Sequence, residues 1–382
     1  MARRICLLVS AAVLVAACGG SSDDPAATPS STDLTTTVAV TSTTPTTTES
    51  APPTTSAPTD TAPTTAPPPT ATTATSAPAS SVPVTSAAPP TTGAPSIRDL
   101  IDSGAVLNLA HAGGDQDAPH STPFAFAEAV AAGADVLELD VQLSADGVLV
   151  VQHDDTVDKT TEATGPVSAL TYDELHALDN AYWFSPECWP CKDRPTEEYV
   201  YRGVRTGTVA PPPGYTADDF AVPTFREIAT RFPDLPLDIE IKGTFPDAVA
   251  VAERLSEELV ELERERSVVV VSFDDQVVDA FHAIAPDVSV SPGLGRLTEW
   301  FLSAAELEPH FEVLQLPPFQ GEIEVITAEV VDRIHAEGRV VWVWPDDASS
   351  QENETFYREL LADGVDGVIA GRPAAMTAAL TD

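Results

Sequence analysis

Two short apolar runs carry charges at every second position. One reads Leu137-Glu138-Leu139-Asp140-Val141, the other Ile239-Glu240-Ile241-Lys242. Side chains of a strand alternate between its two faces, so Glu138 and Asp140 share one face, and Glu240 and Lys242 share another. Brought to one place, three buried carboxylates would repel and raise their own pKa values. A divalent cation removes that repulsion, and all-oxygen donors suit Mg²⁺ or Ca²⁺ better than zinc. Two histidines also stand directly after apolar runs, His111 after Val106–Ala110 and His153 after Val148–Gln152. Trp344 closes another such run, Val340–Trp344. His120, His176, His282, His310 and His335 fall in loops or helix-like stretches and read as ordinary, with His120 set apart only by its nearness to His111 in sequence.

The elements that must position these groups follow a regular rhythm. Further strand candidates are Val136–Leu143, Leu237–Ile241, Val268–Phe273, Val288–Ser291, Val313–Leu316 and Gly367–Ala370. Helix-like stretches separate them at Pro123–Ala132, Tyr172–Leu178, Thr224–Arg231, Asp247–Glu265, Gln276–Ala285, Ala328–Glu337 and Glu352–Ala362, several opened by a Ser or Thr cap. Strand alternating with helix predicts a parallel sheet, and some eight repeats predict a closed (β/α)8 barrel. Asp146-Gly147 marks a hairpin between the second and third runs. In such a barrel the chemistry sits at the C-terminal ends of the strands, where His111, Glu138, Asp140, His153, Glu240, Lys242 and Trp344 are expected to fall. Residues 181–222 break the rhythm with prolines, aromatics and the pair Cys188 and Cys191, and read as an insertion over one rim, either a lid or a packed loop.

The 382-residue chain begins with material that belongs to no fold. Arg3 and Arg4 precede an apolar run ending Val15-Ala16-Ala17-Cys18, which reads as an export signal over residues 1–18. Small residues before Cys18 resemble a lipobox, so Cys18 is expected to become an acylated N-terminus anchored to the outer face of a membrane or envelope. Residues 19–95 are almost all Thr, Pro, Ser and Ala without a Trp, Tyr or Phe, and are expected to form a disordered, extended linker. The folded barrel domain is then expected over residues 96–382. Of 59 acidic residues only five precede it, and the net charge is -40. That field repels nucleic acid, which is excluded as a partner. A phosphate substrate would need a local cation. Outside the cytoplasm Cys188 and Cys191 are expected to form a local disulfide, with a Cys-x-x-Cys redox pair as the alternative.

The run from Leu107 to Leu178 resembles the signature region of glycerophosphodiester phosphodiesterases. The matching pieces are Ala110-His111-Ala112-Gly113, Pro119 with Thr122, Gly133 through Val141, Asp146-Gly147 with Val150, Val151, His153 and Asp154, and Lys159-Thr160-Thr161. Pro223-Thr224-Phe225, Ile239 to Lys242, Ser272-Phe273 and Val365-Asp366-Gly367 extend the likeness to about residues 105–375. The resemblance implies that Glu138, Asp140 and Glu240 are metal ligands and that His111 and His153 are the general acid and base pair. It also implies that Lys242 faces the phosphate and that Trp344 lies against the alcohol portion of the substrate. The implied activity is metal-dependent hydrolysis of glycerophosphodiesters to an alcohol and glycerol 3-phosphate. Phospholipase D-like action on lysolipids or envelope polymers is the alternative, and a catalytically weak surface binding protein is the rival from another class. Where the family carries His-Arg-Gly this chain has Ala112, losing a bidentate phosphate fork. Lys159, Arg202, Arg205 and Arg372 are the candidate substitutes, and His120 stands where the family has a glutamate.

Overall fold

The structure is a computed structural model and describes residues 93–186 and 188–381. The export signal, Cys18 and nearly all of the Thr/Pro-rich linker lie outside the described residues.

The chain enters through α1 (Ile97–Ser103), which starts on a reciprocal cap between Ser96 and Asp99 and stops at Gly104 in the left-handed region, φ 62°. Then come β1 (Leu107–Ala110), α2 (Pro123–Ala131), β2 (Val136–Leu143), β3 (Leu149–Val151), α3 (Tyr172–Ala177) and α4 (Phe225–Arg231). The middle of the domain holds β4 (Leu237–Ile241), α5 (Val249–Glu261), β5 (Val268–Val271), α6 (Asp275–Ile284), β6 (Ser289–Val290) and α7 (Leu294–Ser303). It finishes with β7 (Val313–Leu316), a small hairpin of β8 (Phe319–Gln320) and β9 (Ile323–Glu324), α8 (Ala328–Ala336), β10 (Val340–Val343), α9 (Glu354–Asp363), β11 (Gly367–Ala370) and α10 (Pro373–Thr381).

Eight strands run parallel in the order β6-β5-β4-β2-β1-β11-β10-β7, and β3 pairs antiparallel with β2. The two ends of this sheet meet through one parallel bridge, Val290 with Phe311, so the barrel is nearly closed. Alternation divides each strand. Leu137, Leu139 and Val141 of β2 and Ile239 and Ile241 of β4 point outward and pack in the main core with Val251, Ala252 and Leu255 of α5. Leu107, Leu109, Val136, Val269, Val313, Trp342 and Ile369 form a second cluster inside the barrel, with Ile97 of α1 packed against it. Burial of side chains this size contributes roughly 1.5–3 kcal/mol each. That interior layer is the apolar floor on which the charged residues stand.

The predicted strands all form, four with the expected bounds and five trimmed by one or two residues at an end. Helix α5 is shorter than Asp247–Glu265, while α1, α7, α10 and the β8–β9 hairpin were not expected from the sequence. Residues 181–222 fold as a packed loop with short 3₁₀ turns. Ala181, Val204 and Phe220 pack there against Ala118, Phe124 and Ala125 of the β1–α2 region.

Candidate active site

The register between β2 and β4 builds the site. Glu138 pairs with Asp238 and Asp140 with Glu240, so four carboxylates form two inward-facing rungs. The lower rung includes Asp238, whose Oδ1 accepts a hydrogen bond from Gln315 Nε2 across the barrel at 2.7 Å. In the upper rung, Lys242 Nζ lies 3.0 Å from Asp140 Oδ1 and 3.1 Å from Glu240 Oε1. Glu138 Oε2 accepts the Ala112 N–H at 2.6 Å, which fixes the loop after β1. Ala112 is fully buried and sits at φ 45°, a left-handed conformation held in place by that contact.

His111 leaves the end of β1 and His153 the end of β3. Their ring centroids stand 5.3 Å apart, edge to face, above the carboxylates. Antiparallel pairing of β3 to β2 brings His153 back to the site, with the Gln152 N–H donating to Asp140 O at 3.1 Å. Each histidine has a carboxylate beside it. His111 Nδ1 is 3.4 Å from Asp115 Oδ1, and His153 Nδ1 is 3.3 Å from Asp154 Oδ1. A buried network holds these loops: Gln142 Nε2 donates to Gln152 O and Asp154 O, and Asn180 Nδ2 donates to Ser121 O and Gln152 Oε1.

The electrostatics follow from burial and neighbours. Burial, then the adjacent Asp140 charge, push Glu138 well above the usual carboxylate range. Burial and Asp140 also raise Glu240, with Lys242 offsetting part of the shift. Asp140 goes the other way: burial opposes its charge, but Lys242 and the two histidines outweigh it and lower its pKa. Asp238 is pushed up to about 7, chiefly by burial. Burial disfavours charge on His111, yet Asp115, Glu138 and Asp140 outweigh it and raise its pKa to about 10. Burial and the Asp140 and Glu240 charges compete at Lys242, and the carboxylates win, keeping the ammonium charged.

The donor set fits a hard cation. It consists of three inward carboxylates, and Asp140 Oδ2 is buried without a hydrogen-bond partner. The Lys242 ammonium provides the compensating positive charge between two of them. Among the described residues, no three His, Cys, Asp or Glu side chains close on a single point as a ready-made metal cage. Glu138, Asp140 and Glu240 are the groups that would hold the ion.

Further residues surround the site, among them His120 and Lys159, which the sequence already marks, and Trp189, which it does not. His120 is almost fully buried, with its ring 5.7 Å from His153 and 5.4 Å from Trp189. Burial, then the Lys159 charge, press its pKa down to about 3, so it is a neutral imidazole. Trp189 is carried by the loop that the Cys188–Cys191 disulfide closes, Cα to Cα 5.5 Å. Of the four candidate cations, Lys159 alone reaches the histidines. Its Nζ lies 3.5 Å from Asp154 Oδ2 and 5.8 Å from the Trp189 ring centroid. Arg202 stacks on Tyr182, Trp183 and Tyr199, Arg205 pairs with Asp218, and Arg372 pairs with Asp117. Trp344 follows β10 directly, with its ring 5.8 Å from Phe273, which follows β5. Asp115 and Asp154 were missed because only the folded loops bring them to imidazole nitrogens, although Asp154 stood next to His153 in the chain.

Residues 111–375 match the glycerophosphoryl diester phosphodiesterase family. A glycerophosphodiester phosphodiesterase of Bacillus altitudinis is 27% identical over 267 residues, covering 69% of this chain and 94% of that protein. One from Caldanaerobacter subterraneus is 29% identical over 273 residues, covering 70% and 94%. Among solved structures, the glycerophosphoryl diester phosphodiesterase domain of a Mycobacterium tuberculosis protein superposes with a TM-score of 0.55 at 21% identity, covering 71% of this chain and 97% of that one. An Oleispira antarctica phosphodiesterase in complex with the product sn-glycerol-3-phosphate has a TM-score of 0.51 at 20% identity, covering 74% and 99%. At these identities the structural likeness speaks for the barrel fold.

Proposed function

Because the chain belongs to the glycerophosphoryl diester phosphodiesterase family, we propose that it hydrolyses glycerophosphodiesters to glycerol 3-phosphate and an alcohol, with a divalent cation at Glu138, Asp140 and Glu240. The observation that carries this reading is the His111–His153 pair standing over the inward carboxylates at the C-terminal end of the barrel. When bound, the cation supplies positive charge that polarises the phosphodiester oxygens. The chain's own residues do the rest. One imidazole takes the proton of the attacking oxygen and the other returns a proton to the leaving alkoxide; where a neighbouring substrate hydroxyl attacks instead of water, a cyclic phosphate forms first and water then opens it to glycerol 3-phosphate. The bond from phosphorus to the leaving oxygen breaks as the new one forms. Lys242 faces the phosphate, and Trp344 lines the alcohol side.

The test is release of glycerol 3-phosphate from glycerophosphocholine by metal-stripped protein with Mg²⁺ or Ca²⁺ restored, with Glu138→Ala as control. Turnover restored by the cation and lost in the variant supports the reading. Turnover that ignores both chelator and variant overturns the metal role. No turnover with the cation bound turns the test to lysolipids and envelope polymers, and failure there as well favours a surface binding protein.

One observation favours a second reading, phospholipase D-like cleavage of lysolipids. Phe245 and Phe273 are exposed in the loops after β4 and β5, and Leu294 is exposed at the start of α7. Phe273 meets Trp344 after β10, ring centroids 5.8 Å apart, and gives the mouth an apolar patch. A higher kcat/KM on lysophosphatidylcholine than on glycerophosphocholine would select this reading, and the reverse order would reject it. Export and acylation at Cys18 complete the proposal and place the enzyme at the outer face of the envelope. A Cys18→Ser chain that remains membrane-bound would overturn the anchor.

A further inference from the structure

His111 is the first residue beyond β1, and its orientation depends on what meets its Nδ1. That partner is Asp115, four residues on, at 3.4 Å. The loop curls back to deliver it. The N–H groups of Gly114 and Asp115 both donate to the His111 carbonyl, at 2.7 and 3.2 Å, and Gly113 and Gly114 take φ of 86° and 89°. Asp115 Oδ2 accepts from Gln116 Nε2 at 3.0 Å, leaving Oδ1 for the histidine.

The room for this carboxylate comes from the far end of the chain. A Cβ on Gly371 would stand 2.4 Å from Asp115 Oδ1, 2.9 Å from Gln116 Cγ and 3.0 Å from Glu352 Cδ. Gly371 is held in turn: its N–H donates to Glu352 Oε2 at 2.9 Å, and its carbonyl accepts the Gln116 N–H at 3.0 Å. Glu352 also accepts the Tyr357 O–H. The loops after β1, β10 and β11 therefore lock around a single carboxylate.

We propose that Asp115 is a positioning residue for His111, and that the missing side chain at Gly371 is what admits it. Asp115 accepts at Nδ1 and so turns Nε2 toward the reacting phosphodiester. An imidazole whose Nδ1 lacks this acceptor can present the wrong nitrogen or the wrong plane. This rests on reading His111 as half of the acid–base pair. The competing role for Asp115 is a plain loop-stabilising ion pair.

The test uses Asp115→Asn and Gly371→Ala. Asp115→Asn is isosteric and is expected to lower kcat by on the order of a hundredfold or more, with KM within about twofold. Gly371→Ala pushes on the same carboxylate and should lower kcat in the same sense. An unchanged kcat in Asp115→Asn overturns the proposal. The His111 ring ¹⁵N signals give a readout independent of turnover. They should move in Asp115→Asn. A chain without turnover that shows those movements would fail the acid–base reading and keep the positioning role. Unmoved ring signals overturn the positioning role whatever the turnover.

Discussion

Replacing Lys242 with methionine separates the ammonium's two duties. The ammonium stands 3.0 Å from Asp140 and 3.1 Å from Glu240, and its side chain is 14% exposed. Methionine fills the same volume but leaves two buried carboxylates without their counter-ion. Removing one partner of a buried ion pair costs about 3–5 kcal/mol. Part of that cost is avoidable, because burial and Asp140 already raise the Glu240 pKa and a proton can replace the lost charge. The destabilisation should therefore be larger at pH 8 than at pH 5. A divalent cation can take the same place. At about a hundred times its Kd, a ligand returns about 2.7 kcal/mol, and the variant should bind more tightly than the parent because no ammonium competes. The assay is urea unfolding of parent and Lys242→Met, in chelator and in excess Mg²⁺ or Ca²⁺. A loss in chelator that the cation largely reverses is the expected result. No loss in chelator would show that Lys242 is not the counter-ion. A loss that no cation reverses would show that these carboxylates do not hold one. Stability restored by the cation without turnover would leave Lys242 its second duty, facing the phosphate.

Other consequences can be measured directly. His111→Ala and His153→Ala should each lower kcat about 10²–10⁴-fold, and the double variant should fall little below the worse single, because the two act in one step. Fully additive losses would contradict that. Glu352 is pushed from its ordinary 4.5 to about 7, first by burial and then by the nearby Asp115 charge. A carboxyl raised this way binds its proton more tightly folded than unfolded, so its contribution is lost as pH rises from 4.5 through 7. Glu352→Gln keeps an acceptor and should gain stability over the parent between pH 5 and pH 8, by an amount on the order of a few kcal/mol; a flat difference in urea unfolding would remove the buried charge from the explanation. Gly113 has φ 86°, and a Cβ there would lie 3.0 Å from the Phe126 nitrogen. Gly113→Ala should therefore cost about 1–3 kcal/mol in thermal or urea unfolding and lower turnover by displacing His111.

The period-two charge pattern was legible because it is local. Glu138 and Asp140 share a face whatever the fold, and the β–α rhythm then makes that face the inside of a barrel. Parity alone also points Asp238 inward beside Glu240, but its partner Gln315 lies across the barrel on β7, and no spacing in the chain indicates that. Missed helices have local reasons. Helix α7 opens on Gly293 with no side-chain cap, α1 is seven residues long, and α10 has almost no polar face to give a period. His120 reads as an ordinary loop histidine until the β1–α2 loop and the insertion fold over it. The carboxylate beside His111 was hidden for a stronger reason. Its space is created by what Gly371 lacks, and an absent side chain leaves no motif.

Ala112 stands where the resemblance implies an arginine. A lost arginine could have taken the loop geometry with it, yet the Ala112 N–H still meets Glu138, Ser121 N–H still donates to the Ala112 carbonyl at 2.8 Å, and the loop still curls back to the His111 carbonyl. What the substitution removes is charge and a fork of donors, not the path of the backbone. Positive charge near the histidines comes from the other side, where Lys159 stands beside Asp154 and under the Trp189 ring. Those two neighbours differ in kind. Asp154 belongs to the barrel and faces His153, whereas Trp189 belongs to the insertion. Among the described residues, the insertion thus meets the site through the Trp189 ring, and Asp115, Asp154 and Lys159 beside the histidines come from the barrel and its loops.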